Sequence, residues 1–387
     1  MYKILTLNNI SPKGLDRLPR DHYEIASEIK QPDAILLRSY NMHDMPVSPT
    51  LKAVGRAGAG VNNIPVDRLG EFGVAVFNAP GANANAVKEL VIAGMLLAAR
   101  NLCAAWDYTR SLDATGEALE KQVEAGKKRF AGFELPGRTL GVVGLGAIGV
   151  QVANAAVGLG MKVIGFDPKI TVQSAWRLSA QVQQALSVDE LLRHSDMVSF
   201  HVPLNEHTRH LLNAERIGLM RPGSVVLNFA RDRVVDEQAV LAALETGRLH
   251  SYVSDFPTEA VKQHPKVIAL PHLGASTTEA EDNCAIMVAD QVRDYLENGN
   301  LRNSVNLPNV ELTRAGRARI AVINRNVPDM VGQISHVLGK AGVNIVHLVN
   351  ESRGELAYSL MDVESEIDSE TADNIARIDG VLKVRVL

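Results

Sequence analysis

Three side chains of complementary chemistry follow strand-like runs in the second half of the chain. Arg231 comes after Ser224–Asn228, Glu259 after Tyr252–Ser254 and His272 after Val267–Leu270. A guanidinium grips a carboxylate through two parallel N–H bonds and polarises a neighbouring carbonyl. An imidazole, with an ordinary pKa of about 6.5, can take a hydroxyl proton. A carboxylate hydrogen-bonded to that imidazole fixes its tautomer and favours the imidazolium form. The trio suits interconversion of 2-hydroxy and 2-oxo acids, a reaction that needs a hydride acceptor and no metal. Each residue also has a plainer reading: His272 as a structural strand-end histidine, Glu259 as a solvated loop acid, and Arg231 as either.

The signature of a hydride acceptor lies upstream. Gly144-Leu145-Gly146-Ala147-Ile148-Gly149 sits between the strand-like Thr139–Val143 and a run from Val150 to Leu159 with helical spacing of apolar residues. Lys162–Phe166 then reads as a second strand, ending at Asp167. In this frame the first glycine permits a tight turn, the second admits a pyrophosphate to the backbone, and the third lets helix pack on strand. The helix start offers free N–H groups and a positive dipole to the phosphates. Asp167, 18 residues after Gly149, stands where an acid can accept hydrogen bonds from an adenosine ribose. A carboxylate there repels a 2′-phosphate, and Asp167-Pro168-Lys169 brings no adjacent arginine, so NAD is favoured over NADP. The alternative is an ordinary βαβ turn.

These residues need a scaffold, and 387 residues predict two or three domains. Ile4–Leu7, Ala34–Leu37, Ala53–Arg56 and Val74–Phe77 read as strands of a first α/β layer, and a long helix runs from about Asn85 to Trp106 or beyond. From Leu140 the rhythm repeats in six strands, adding Met197–His201 to those already named. The expected fold is α/β: two Rossmann-like doubly wound parallel-sheet domains with a cleft between them. The helical stretch Glu279–Glu297 carries the chain back to the first domain. The expected boundaries are 1–98 with 281–312 for a discontinuous substrate-binding domain and 99–280 for the NAD-binding domain. Leu301–Arg317 reads as a linker in which Arg314 and Arg317, with Arg319 just beyond, are solvated charges. Residues 317–387 then give a ferredoxin-like βαββαβ pattern.

Net charge is −4, which argues against a nucleic-acid partner. Cys103 and Cys284 match no metal spacing and read as reduced core residues. The apolar run Leu90–Ala99 is about half of the roughly 20 residues that cross a bilayer, so no membrane partner is expected. With no signal-peptide pattern at the start, a cytoplasmic location is the expectation.

With these motifs in order, the first 310 residues resemble the D-2-hydroxyacid dehydrogenases. The resemblance rests on Gly144–Gly149, Asp167, His201-Val202-Pro203-Leu204, Asn228–Arg231, Phe256–Glu259 and Pro271-His272-Leu273-Gly274. It implies that Arg231, Glu259 and His272 are catalytic. It also implies NAD contacts from Gly144, Gly146, Ala147, Ile148, Gly149, Asp167, His201, Val202, Pro203, Thr208, Ala230, Arg231, Asp255 and Gly274. With the C-terminal unit added, it points to oxidation of 3-phospho-D-glycerate to 3-phosphohydroxypyruvate, the first step of L-serine synthesis. For the phosphorylated substrate, Arg38-Ser39 resembles the family's basic loop, Gly58-Ala59-Gly60 can offer backbone N–H groups, and Asn83 lies where the family lines its cleft. Arg56 and Lys127-Lys128-Arg129 are weaker candidates. Two departures stand out. The family often has Asp-Val-Phe where this chain has Ser254-Asp255-Phe256, and Asp232 follows Arg231 where glycine is usual.

Two other functions are compatible with the fold: a hydroxypyruvate or glyoxylate reductase, and an NAD-sensing corepressor without catalysis, which the intact trio disfavours. The C-terminal unit, with Asn326-Val327-Pro328-Asp329-Met330-Val331-Gly332 before a helix and Gly342-Val343-Asn344-Ile345 after it, resembles an ACT domain. That likeness implies an L-serine effector held by Asn326 and Asn344. Asn324 stands where a histidine is usual and Asp329 where a glycine is, so a purely dimerising module remains the alternative. A homodimer or homotetramer is expected.

Overall fold

A computed structural model describes residues 1–387. The chain divides into two compact units, Met1–Asn83 with Thr278–Leu387, and Ala84–Thr277.

The continuous unit carries a parallel sheet. Its strands are β6 (Thr139–Val143), β7 (Lys162–Phe166), β8 (Gln183–Gln184), β9 (Met197–Phe200), β10 (Ser224–Asn228), β11 (Leu249–Ser254) and β12 (Val267–Ala269). They are ordered β12-β11-β10-β9-β6-β7-β8. Strand order reverses between β6 and β9, the point where doubly wound sheets bind ligands. Successive side chains leave a strand on opposite faces, and both faces here are covered. Val142, Val225, Leu227 and Val253 pack with Val91 and Met95. Val143, Val226 and Tyr252 pack on the other side with Leu192, Val240 and Leu244. Burial on both faces is why these strands read as unbroken apolar runs.

The sheet has seven strands where six were expected. The addition, β8, is a pair of exposed glutamines with no apolar period to announce it. The long helix is also interrupted. Ala84–Ala99 and Leu102–Arg110 are separate helices bent by 66°, and Asn101 between them adopts φ 52°. Asparagine tolerates that left-handed conformation better than most side chains, and the run of apolar residues gave no sign of a break. No single helix of the chain is long and apolar enough to cross a membrane.

The discontinuous unit holds a second parallel sheet of β1 (Tyr2–Leu7), β2 (Tyr23–Ala26), β3 (Ala34–Leu37), β4 (Ala53–Arg56) and β5 (Ala75–Phe77), ordered β2-β1-β3-β4-β5. The helix Thr278–Asn298 lays Cys284, Val288, Val292 and Tyr295 against Ile4, Leu36 and Phe77. Next comes an antiparallel sheet of β13 (Ala318–Arg325), β14 (Ile345–Arg353), β15 (Leu356–Val363) and β16 (Val381–Val386), ordered β14-β15-β13-β16. With helices Met330–Lys340 and Ser369–Ala376 it forms a βαββαβ sandwich.

Leu301–Arg317 is not the solvated linker expected. Leu301, Leu307 and Val310 are buried in the core of this unit, and Leu301 pairs with Val310 in a β-bridge. Arg319 is likewise no solvated charge. It is fully buried, with Nε 2.6 Å and Nη2 2.9 Å from the two oxygens of Asp362. Its remaining Nη1 donates to the carbonyl of Asn298, while Arg385 donates to those of Tyr295 and Leu296. Two guanidinium groups thus bind carbonyls at the end of a long helix, where backbone partners run short and the dipole is negative. Arg314 and Arg317 are exposed, as expected, though each has a partner: the Leu387 carbonyl and Glu366.

Candidate active site

The glycine-rich turn joins β6 to the helix Ala147–Gly158. Gly144 has φ 93°, and a Cβ there would lie 2.6 Å from the His201 carbonyl oxygen. A Cβ on Gly149 would lie 1.9 Å from the Gly144 oxygen, so only glycine lets the helix come this close to the strand. Gly146 differs: no heavy atom lies within 4 Å of where its Cβ would stand, and no side chain caps the helix that starts there. An open position over uncapped amides fits a pyrophosphate. Asp167 stands beside it, its Oδ2 accepting from Leu145 N–H and its Oδ1 from Lys169 N–H, both at 2.8 Å. Of the remaining candidates in the turn, Ala147 is exposed and Ile148 half-buried.

His201, Val202 and Pro203 follow β9. The His201 Nε2 lies 2.9 Å from the Ser199 hydroxyl, whereas its Nδ1 is buried without a partner. Burial pushes its pKa down to about 3, so the ring is neutral. The Thr208 hydroxyl closes this loop by donating to the Pro203 carbonyl at 2.5 Å.

Three neighbouring loops carry the chemical groups. After β10, the Asn228 side chain accepts from Ala230 N–H and donates to the Arg231 carbonyl and the Tyr252 hydroxyl. Asn228 and Tyr252 are fully buried, so they give the exposed Arg231 a rigid base. After β11, the Thr258 hydroxyl donates to Glu237, which ties the Glu259 loop to the segment that follows Arg231. Burial raises the pKa of Glu237, and its Oε1 has no partner. After β12, His272 is exposed and adopts φ 53°. Its ring meets that of Phe256 with centroids 4.7 Å apart. No hydrogen bond or ion pair joins His272 to Glu259. The carboxylate that engages this turn is Asp255, which accepts from Leu273 N–H and Gly274 N–H. Ala230 and Gly274 are buried beside these loops. Asn228, Glu237, Tyr252 and Thr258 were missed as site residues. For Asn228 the signal was its place at the strand end directly before Phe229-Ala230-Arg231.

The substrate candidates belong to the other unit. Arg38 directly follows β3, next to Leu37, which is in register with Arg56 of β4, and it pairs with Glu281. Asn63 links these strand ends, accepting from Arg56 Nε and donating to the carbonyls of Arg38 and Tyr40. Ser39 N–H is taken by Asn8. The Arg56 guanidinium lies over Gly58, where a Cβ would be 2.3 Å from its Nη1. Gly58 and Ala59 spend their carbonyls on Ala79 N–H and Asn78, Gly60 is half-buried, and Asn83 ends the segment. In the C-terminal sandwich a cavity of about 160 Å³ is lined by Asn324, Asn326, Asp329 and Asn350 among others. Asn344 is not part of that lining; it is exposed, and its carbonyl accepts from Glu364 N–H.

The family model described as "D-isomer specific 2-hydroxyacid dehydrogenase, NAD binding domain" matches residues 92–274. A D-3-phosphoglycerate dehydrogenase of Haemophilus influenzae is 32% identical over 385 residues, covering 95% of this chain and 89% of the relative. One of Methanocaldococcus jannaschii is 36% identical over 349 residues, covering 88% of this chain but 63% of the relative's greater length. Among solved structures, NAD+-bound 3-phosphoglycerate dehydrogenase of Entamoeba histolytica shares the fold. Its TM-score is 0.62 at 24% identity, over 79% of this chain and 98% of that one.

Proposed function

Because the chain belongs to the D-isomer specific 2-hydroxyacid dehydrogenases, among those named D-3-phosphoglycerate dehydrogenase, we propose that it oxidises 3-phospho-D-glycerate to 3-phosphohydroxypyruvate with NAD, and that Arg231, Glu259 and His272 carry the reaction. The observation that carries this reading is the open Gly146 over uncapped helix amides, on the same sheet whose β10, β11 and β12 are followed by the loops that bear those three residues. NAD supplies the hydride acceptor when bound. Gly146, Ala147 and Ile148 would hold its pyrophosphate, and Asp167 its adenosine ribose. Arg231 binds the substrate carboxylate and polarises the C2 oxygen. His272 takes the C2 hydroxyl proton, and Glu259 pairs with the imidazolium that results. Catalytic hydrogen bonds often tighten only in the ternary complex, so a His272–Glu259 contact formed with substrate in place accords with their separation here.

Residues 1–98 with 281–312 would bind the phosphorylated acid, with Arg38 as the phosphate ligand. Residues 99–280 would bind NAD. Residues 317–387 would act as an ACT domain, pairing subunits into a homo-oligomer and offering L-serine a site at Asn326. The test is NADH formation by the purified protein. We expect turnover with 3-phosphoglycerate, a loss of about 10²-fold or more in His272→Ala and Arg231→Ala, and inhibition by L-serine. Activity with glycerate or glyoxylate that exceeds that with the phosphorylated acid would replace this reading with that of a small-acid reductase.

A further inference from the structure

Asp255 is displaced by one position from the aspartate that the family motif leads one to expect, and its surroundings give it a different task. Its side chain is buried, 2% exposed. Oδ1 accepts from Leu273 N–H at 2.6 Å, Oδ2 accepts from Gly274 N–H at 2.9 Å, and its own carbonyl accepts from His272 N–H at 3.1 Å. One residue therefore engages three consecutive amides, the first of which, at the imidazole-bearing position, is shared with the Leu270 carbonyl at 3.1 Å. The turn needs holding: His272 sits at φ 53°, a conformation that a residue with a Cβ keeps only where its surroundings impose it. Gly274 leaves room for the clamp, since a Cβ there would stand 3.2 Å from Oδ2. The next residue, Phe256, braces the ring itself.

We propose that Asp255 is a positioning residue that clamps the His272–Gly274 turn and so aims the His272 imidazole, rather than a ligand of the cofactor. Its two oxygens accept from backbone donors, as those of Asp167 do, but Asp255 is buried whereas Asp167 is half-buried and open to a ligand. Charge-assisted bonds of this kind are shorter and stronger than neutral ones. The proposal rests on the reading of His272 as the proton acceptor.

Asp255→Asn tests it, because the new amide group sets an N–H against one of the two backbone donors. A misplacement of the order of 1 Å can cost about 10²-fold in rate. We therefore expect kcat to fall by about that factor, while KM for NAD and Kd for NADH stay within about twofold. Amide hydrogen exchange should quicken in the peptide spanning 272–274 and stay unchanged in β10 and β11. A tenfold rise in KM for NAD with kcat retained would overturn the proposal and make Asp255 a cofactor contact. Faster exchange across the whole sheet, or an unfolded variant, would overturn it too, since the residue would then hold the domain rather than the turn. A wild type that makes no NADH from any 2-hydroxy acid would fell the reading of His272, and the exchange measurement would still report on the clamp.

Discussion

Gly146 and Gly149 open the same helix, yet an added methyl group should do opposite things at the two positions. Around Gly146 nothing lies within 4 Å of the new carbon, and φ of −76° suits any residue. The cost to folding is confined to the helix N-cap, where alanine is worse than glycine by about 1 kcal/mol. For a domain of this size that is a melting shift of roughly 2–4 °C. The methyl group would, however, occupy the space through which a pyrophosphate reaches the amides. We expect NADH affinity to fall by tenfold or more, about 1.4 kcal/mol per factor of ten. At Gly149 the new carbon would lie 1.9 Å from the Gly144 oxygen and 2.9 Å from its carbonyl carbon. Both are backbone atoms and cannot rotate away, so helix and strand must separate. Overpacking costs about 1–3 kcal/mol. The upper end applies here, which lowers the melting temperature by roughly 6–12 °C. Thermal melts without cofactor and an NADH fluorescence titration of both variants separate the two effects. Wild-type NADH affinity in Gly146→Ala, or wild-type melting of Gly149→Ala, would refute the assignment of cofactor space to one glycine and helix contact to the other.

Arg38→Gln should raise KM for 3-phosphoglycerate about tenfold and leave KM for unphosphorylated glycerate nearly unchanged, as steady-state kinetics will show; equal changes for both acids would remove Arg38 from phosphate binding. Arg319→Met leaves Asp362 buried without its partner, which should cost about 3–5 kcal/mol; adding Asp362→Leu should restore most of the melting temperature, and a double variant no better than the single one would show that the pair does not act as a unit. His201 gives a pH signature. Its folded pKa near 3 lies below an unfolded value of about 6.5, so below pH 6.5 only the unfolded chain takes up the proton. Stability should therefore drop by about 2 kcal/mol from pH 7 to pH 5 through this residue, and His201→Gln should flatten that slope in denaturant titrations; an unchanged slope would show that the ring is protonated in the folded state.

The features legible in the sequence differ from the hidden ones in the distance over which each is encoded. The turn Gly144–Gly149 and Asp167 are set by spacing within one βαβ unit, so their place between strand, helix and strand comes from local order. The structure adds only that the Asp167 carboxylate bridges the N–H groups of Leu145 and Lys169. The βαββαβ order of the last seventy or so residues was legible for the same reason. The break at Asn101 was not, because the apolar residues continue on both sides and the change lies in a single backbone torsion. Arg319 misled for a further reason: an arginine beside Arg317 looks solvated until Asp362, remote in sequence, is seen to accept from its Nε and Nη2.

The loops of the site obey the same logic. Arg231, Glu259 and His272 each announce themselves by type and by their place at a strand end. The groups that hold them do not, since Asn228 reaches Tyr252, Thr258 reaches Glu237 and Asp255 reaches the Leu273 amide from segments remote in sequence. Local pattern thus names the candidate reacting groups, whereas long-range pairing of polar side chains fixes the loops that carry them. A buried polar group must find its partners inside the protein, so each of these contacts fixes one loop against the next. Asp255 shows this most directly: its carboxylate faces the backbone of the neighbouring turn, where it accepts from Leu273 N–H and Gly274 N–H.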